Sequence, residues 1–190
     1  MHTAHSSVGK DWNAEFGAWA HELSTLLPAE LGDQLMTLVA NIPQQNNLLH
    51  GDLHPGNVII RKGELIPIDM EYAGYGNPLY DLAITCSRMR YNVPRVAVHR
   101  GYKISIESLT KMVATIWDAH LRSYFADTSP QELDRISFVI DVLAEVENYC
   151  YRFYHKHVAA DEMTGRQQRC FAKASQRLAV LLPQVTSVEL

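Results

Sequence analysis

Apolar residues recur at helical spacing over most of this chain. Trp12, Phe16, Trp19, Leu23 and Leu26-Leu27 predict a first helix ended by Pro28. Leu31, Leu35, Leu38 and Val39 predict a second, stopping before Pro43. Asn77-Pro78 is a helix start with proline in the first turn, and Leu79, Leu82, Ala83, Cys86 and Met89 follow as its buried face. Residues 105–125 carry another stripe through Leu109, Val113, Ile116, Leu121 and Tyr124. Ser129-Pro130-Gln131-Glu132 is a capping box opening a long helix through Leu133, Ile136, Ile140, Leu143, Val146, Cys150 and Tyr154. A last helix over about 163–182 buries Phe171, Ala174, Leu178 and Leu181 and ends at Pro183.

The helical period breaks between the second and third helices. Leu48-Leu49 reads as a short buried run. Gly51, Pro55 and Gly56 keep residues 50–57 out of any helix. Val58-Ile59-Ile60-Arg61 and Glu64-Leu65-Ile66-Pro67-Ile68 read as two strands joined at Lys62-Gly63, and Pro67 makes the second an edge or bulged strand. The 49 residues before His50 show no strand pattern. The expectation is a mostly helical α+β domain with one short hairpin.

The hairpin gathers the chemistry. Asn57 lies five positions after Asp52, and the hairpin returns Asp69 to the end where Asn57 sits. Phosphoryl transfer uses this set: an Asp facing the acceptor hydroxyl, with an Asn and a further Asp holding magnesium. Magnesium takes hard oxygen ligands, usually one or two from protein carboxylates, so Asp69 and the Asn57 amide oxygen are a suitable supply. Taken alone, Asp52 and Asn57 also fit an ordinary solvated turn. A third reading, His50-x-Asp52-x-His54 as a zinc hydrolase site, requires a further cluster, for which His155-Lys156-His157 is the candidate.

The pattern His50-Gly51-Asp52-x-His54-x-x-Asn57, then Ile68-Asp69-x-Glu71, then Gly74-Tyr75-Gly76-Asn77-Pro78-Leu79-Tyr80-Asp81-Leu82-Ala83, resembles the aminoglycoside phosphotransferase and choline/ethanolamine kinase family. The resemblance is dense over about residues 48–83. It implies a protein-kinase-like fold, of which residues 11–190 would be the C-terminal catalytic lobe, after a frayed stretch at 1–10. It implies Asp52 as catalytic, His50 as a brace of the loop, and Asn57 and Asp69 as metal ligands. Glu71 would act from beside the metal, and Asp81 would anchor the loop from the next helix. His54 would pack the loop or touch substrate. Mg²⁺ and ATP are the implied cofactor and phosphoryl donor, and a small hydroxylated molecule the acceptor. The family's N-terminal lobe, with its phosphate-covering loop and ATP-binding lysine, is not seen. No Gly-x-Gly-x-x-Gly occurs, and of the six lysines only Lys10 precedes the loop, in a polar stretch. A separate N-lobe or a partner protein is therefore expected.

Composition narrows the alternatives. With 190 residues, 47% hydrophobic, the chain can bury a core of its own. The net charge of −4 disfavours nucleic acid and anionic membranes as partners. No apolar run approaches bilayer length, and residues 1–10 lack a signal-peptide core. Cys86, Cys150 and Cys170 are widely spaced and odd in number, as in a reduced, cytoplasmic protein.

The acceptor side is less determined. Asp134, Asp141 and Glu145 recur on one side of the long helix, and Tyr149, Tyr151, Phe153, Tyr154 and, on the preceding helix, Trp117 bring aromatic faces. Acidic and aromatic groups together suit a cationic alcohol; they also suit a solvated face over an ordinary core. Arg88, Arg90, Arg95 and Arg100 form a loose basic cluster, open to phosphates or simply at the surface. Two functions follow: a small-molecule kinase, or a non-catalytic kinase-like module or gene fragment binding a nucleotide or a partner.

Overall fold

The computed structural model describes residues 9–93, 97, 101, 103–152 and 164–185. The calls on residues 1–8, Arg95, Arg100, Phe153, Tyr154 and His155–His157 lie outside them.

A two-residue strand β1 (Lys10–Asp11) opens the described chain and runs into α1 (Trp12–Ser24). The Asp11 carboxylate caps α1 by accepting from the Ala14 amide at 3.1 Å. Trp12, Phe16, Trp19, Ala20 and Leu23 form its buried face, and α2 (Ala29–Asn41) packs against it after Pro28. Strand β2 (Asn47–Leu49) leads to the loop at 50–57, whose end is a 3₁₀ turn at Pro55–Asn57. Strands β3 (Val58–Arg61) and β4 (Glu64–Pro67) then form the hairpin, in register from Val58↔Pro67 to Arg61↔Glu64. Lys62 and Gly63 both take positive φ, 53° and 85°, the signature of a type I′ turn.

Strand β5 (Gly74–Gly76) lies between β1 and β2, parallel to the first and antiparallel to the second. A Cβ on Gly74 would stand 2.0 Å from the Lys10 carbonyl oxygen, so the approach of β1 requires glycine there. Helix α3 (Pro78–Ser87) starts at Asn77, whose side chain accepts from the Leu79 amide at 3.0 Å. It passes into a π-helical turn at Arg88–Asn92. Helices α4 (Ile106–Tyr124), α5 (Pro130–Arg152) and α6 (Gly165–Val185) complete the chain. Ser129 Oγ accepts from the Glu132 amide at 3.2 Å, half of the capping box.

Two apolar clusters hold these elements together. One joins α1, α2, α5 and α6 through Phe16, Leu23, Leu35, Leu143 and Leu182, with Tyr80 of α3 stacked on Phe16 at 4.4 Å between ring centroids. The other packs Leu82, Cys86 and Met89 against Leu109, Val113, Trp117 and Leu121 of α4 and Ile140 and Ala144 of α5. Helix α3 therefore runs through the middle of the domain, against α5, and carries the loop on its first turn. Among the described residues no helix is long and apolar enough to cross a membrane, and all three cysteines are free thiols.

Four sequence expectations fail. Ile116 and Tyr124, expected on the apolar stripe of α4, are 51% and 53% exposed, because the face that packs inward is Leu109, Val113, Trp117 and Leu121. Leu48 is 67% exposed, because β2 has one covered face and only Leu49 points to it. The first 49 residues do contain strands: β1, at Lys10, and β2 are too short for alternation to show and exist through pairing with β5. Pro183 does not end α6, which runs on to Val185. So near the C-terminus the lost N–H costs a single helical bond, and burial of Leu182 and Val185 holds the last turn in place.

Candidate active site

The loop at 50–57 is fixed from three sides. From α3, the Asp81 carboxylate accepts from two successive amides, Oδ2 from His50 N and Oδ1 from Gly51 N, both at 2.9 Å. Asp81 stands in the first turn of α3, where the helix dipole favours a carboxylate. From the residue just after β4, the Ile68 carbonyl meets His50 Nε2 at 2.9 Å. The other ring nitrogen, Nδ1, accepts from the Asp52 amide at 3.3 Å, which assigns the proton to Nε2 and makes it the donor to Ile68. From α1, Trp12 lies against Gly51. Gly51 has φ +78°, and a Cβ there would meet the Tyr72 carbonyl oxygen at 2.3 Å and Trp12 Cζ2 at 2.5 Å. Only glycine fits this bend.

These contacts present Asp52. Its Oδ1 accepts from Arg88 Nε at 2.8 Å. Its Oδ2 lies 3.4 Å from Asn57 Nδ2, which also donates to the Asp52 carbonyl at 3.0 Å, and 3.8 Å from His54 Nε2. The His54 ring accepts from the Gly56 amide through Nδ1 at 3.0 Å, so His54 shapes its own turn first. Since the Asn57 NH₂ is used within the loop, its amide oxygen has no hydrogen bond among the described residues.

Asp69 follows the hairpin. The Ile68 amide donates to the Asn57 carbonyl at 2.9 Å and closes the hairpin's open end. Asp69 itself has φ +63°, a left-handed conformation uncommon outside glycine, which turns the chain sharply out of β4. Asp69 and Glu71 are exposed and make no hydrogen bond or ion pair among the described residues. The donors available to a cation are thus hard oxygens: the Asp69 carboxylate and the Asn57 amide oxygen, with Glu71 two residues further on. That set fits magnesium. No group of three His, Cys, Asp or Glu poised for a metal occurs among the described residues, and the two histidines of the zinc reading, His50 and His54, use a ring nitrogen to hold the loop.

Of the loose basic cluster, expected to meet phosphates or lie at the surface, Arg88 and Arg90 turn inward. Arg88, 12% exposed at its side chain, bridges Asp52 and the buried Glu147 of α5, with Nη1 2.5 Å from Glu147 Oε1. Burial pulls the Arg88 guanidinium toward neutrality, but Glu147 and Asp52 outweigh it and hold the cation above its usual range. Burial pushes the Glu147 carboxyl up, against the pull of Arg88 and Ser87. Arg90 pairs with Asp141 at 2.8 Å. Glu145, 1% exposed, takes Arg177 of α6 at 2.7 Å and the Tyr91 hydroxyl. Sequence periodicity missed these partners. A signal for them existed: Asp141, Glu145 and Glu147 interrupt an apolar run, and buried carboxylates require cations.

The residues considered for the acceptor do not converge. Asp134 is exposed, Asp141 and Glu145 belong to the ion network facing the π turn, and Trp117 lies in the core between α4 and α5.

Known proteins share the sequence pattern and the fold. A sequence model of the phosphotransferase enzyme family matches residues 8–110, from β1 through the loop, hairpin, α3 and π turn to the start of α4. The methylthioribose kinase of Yersinia pseudotuberculosis serotype O:1b (strain IP 31758) is 30% identical over 88 residues, 45% of this chain and 22% of that protein. The methylthioribose kinase of Yersinia pestis (strain Pestoides F) is 28% identical over the same length. Among solved structures, a glucosamine kinase superimposes with TM-score 0.50 at 18% identity, covering 91% of this chain and 45% of that one, which shows a shared fold. The chain thus corresponds to less than half the length of each relative. On the match across residues 8–110, the chain belongs to the phosphotransferase enzyme family, and its fold is that of a kinase-like C-terminal lobe.

Proposed function

We propose that this chain carries the catalytic half of an ATP- and Mg²⁺-dependent kinase that phosphorylates a hydroxyl of a small molecule. One observation carries the reading: a fixed Asp52 carboxylate stands within 3.4 Å of the Asn57 amide, while Asp69 is delivered to the same end of the hairpin with its carboxylate uncommitted. The acceptor hydroxyl would sit against Asp52, which orients it and takes its proton as the oxygen bonds to the terminal phosphorus and ADP leaves. Asn57 and Asp69 would hold the magnesium, which supplies charge neutralisation on the phosphates. His50 and Asp81 keep the loop in place, so that Asp52 meets the hydroxyl without reorganisation. Glu71 and His54 would act from the margins, Glu71 beside the metal and His54 beside the acceptor.

The acceptor is proposed as a small polyol, amino sugar or amino alcohol. By their names, the relatives act on methylthioribose and glucosamine, and choline, ethanolamine and an aminoglycoside complete the panel to be tested. Residues 11–190 would form the C-terminal lobe, working against an N-terminal lobe or partner that covers the phosphates. Exposed apolar pairs on the two small sheets are compatible with such a cover: Leu48 beside Tyr75 on one, 67% and 45% exposed, and Ile60 beside Leu65 on the other, 76% and 71% exposed. Three free thiols fit a reducing compartment, the cytoplasm.

The test is turnover of ATP against that panel by the full protein and by Asp52→Asn, which removes the proton acceptor and keeps the side chain's shape. A loss of at least about 10²-fold in kcat is expected, the usual share of a general base. Undiminished turnover by a folded Asp52→Asn would end this mechanism. A folded protein with no turnover on any acceptor would favour the binding-module reading.

A further inference from the structure

Asp52 is not the only charged group built into the site. Arg88 reaches it from the first residue of the π turn, and its guanidinium is shared with Glu147, a carboxylate 2% exposed in the C-terminal part of α5. A buried ion pair is a poor way to gain stability, because hydrophobic residues of like volume do as well or better. π-helical turns, too, gather at functional sites. The arrangement has a chemical logic. An arginine alone on Asp52 would cancel its charge. With Glu147 at 2.5 Å on the other arm, the three groups keep one net negative charge, and the cation clamps a single oxygen of Asp52. Oδ1 is held at 2.8 Å, whereas Oδ2 has only the 3.4 Å contact with Asn57 and His54 at 3.8 Å. Oδ2 is the freer oxygen.

We propose that Arg88 is a positioning residue that fixes the Asp52 carboxylate so that Oδ2 faces the acceptor hydroxyl, and that Glu147 holds Arg88 and sets how much of its charge Asp52 feels. This rests on the kinase reading above, with Oδ2 as the atom that takes the proton. Arg88 need not touch substrate. Lysine cannot replace it, because a single ammonium lacks the planar fork that spans two carboxylates.

The experiment has two readouts on the full protein. The first needs no turnover. The Arg88 Nε–Hε resonance, assigned by its loss in Arg88→Lys, should be protected from solvent exchange in the wild type and exposed in Asp52→Ala. The second is kinetics on Arg88→Lys and on the double variant Arg88→Gln/Glu147→Gln, which leaves no orphaned buried charge and so keeps the fold. In both, kcat should fall about 10²-fold, the cost of a misaligned reacting group, with KM for ATP and acceptor unchanged. Guanidinium added to Arg88→Ala should restore part of kcat, which a merely structural arginine would not show.

A folded double variant with wild-type kcat overturns the proposal, and so does a rise in KM at constant kcat, which would make Arg88 a substrate-binding group. An unprotected Arg88 Nε–Hε in an active wild type overturns the positioning role alone. A protected one in a wild type without turnover overturns the kinase reading, and this proposal with it.

Discussion

Replacing Asp81 by asparagine should loosen the loop that carries Asp52, at a cost that follows from two hydrogen bonds. The carboxylate accepts from His50 N and Gly51 N, each at 2.9 Å. Asparagine keeps one oxygen, and that bond becomes neutral, a loss of about 1 kcal/mol. At the other position an NH₂ group faces an N–H donor, leaving a part-buried amide unpaired at about 1–3 kcal/mol. Removing the charge from the first turn of α3 adds about 0.3–1 kcal/mol. The sum is roughly 2–5 kcal/mol, which for a domain of this size lowers Tm by about 5–15 °C. Urea unfolding followed by tryptophan fluorescence measures the total, and amide exchange at His50 and Gly51 locates it. Asp118→Asn is the control: its pair with Arg122 is exposed at both ends and bridges one helical turn, so its loss should leave the unfolding midpoint unchanged. If Asp81→Asn unfolds within 0.5 kcal/mol of that control, or if exchange at Gly51 is unchanged, Asp81 does not hold the loop as argued.

Other changes carry distinct signatures. Gly51→Ala forces a Cβ to within 2.3 Å of the Tyr72 carbonyl at φ +78°, and should destabilise by at least about 2 kcal/mol in urea melts; Gly63→Ala, at φ +85° with open space around it, should cost only the backbone share of about 1 kcal/mol. Burial pushes the Cys86 thiol up to about 12, and that of Cys150 further, so neither is nucleophilic near neutral pH. A thiol reagent such as DTNB should label Cys170 rapidly in the native protein and the other two only on unfolding; fast labelling of all three would contradict their placement in the core.

Much of this architecture was legible in the chain because it is periodic. The stripes through Trp12–Leu23, Leu109–Leu121 and Leu133–Cys150 became helices α1, α4 and α5, and Lys62-Gly63 with its flanking branched residues became a hairpin. The loop's breakers placed Asp52 and Asn57 in one turn, and the hairpin's length returned Ile68 to Asn57. What stayed hidden depends on distant partners. Strands of two or three residues have no alternation to read, so β1, β2 and β5 exist only as a set. Arg88 meets a carboxylate 59 positions away and Arg90 one 51 away, separations at which local spacing is silent. Pro183 is carried inside α6 by the packing of Leu182 and Val185, which local sequence does not show.

We propose Asn57 and Asp69 as the ligands that would make this lobe a magnesium-dependent nucleotide site. The most direct measurement is a thermal-shift titration with ATP, with and without Mg²⁺, on the wild type and on Asp69→Ala. A ligand held only by the folded state stabilises by about 2.7 kcal/mol at a hundred times its Kd, some 5–10 °C here. The wild type should shift only with magnesium present, and Asp69→Ala should not shift. A wild type with no magnesium-dependent shift, or a shift that survives in Asp69→Ala, would contradict the proposal.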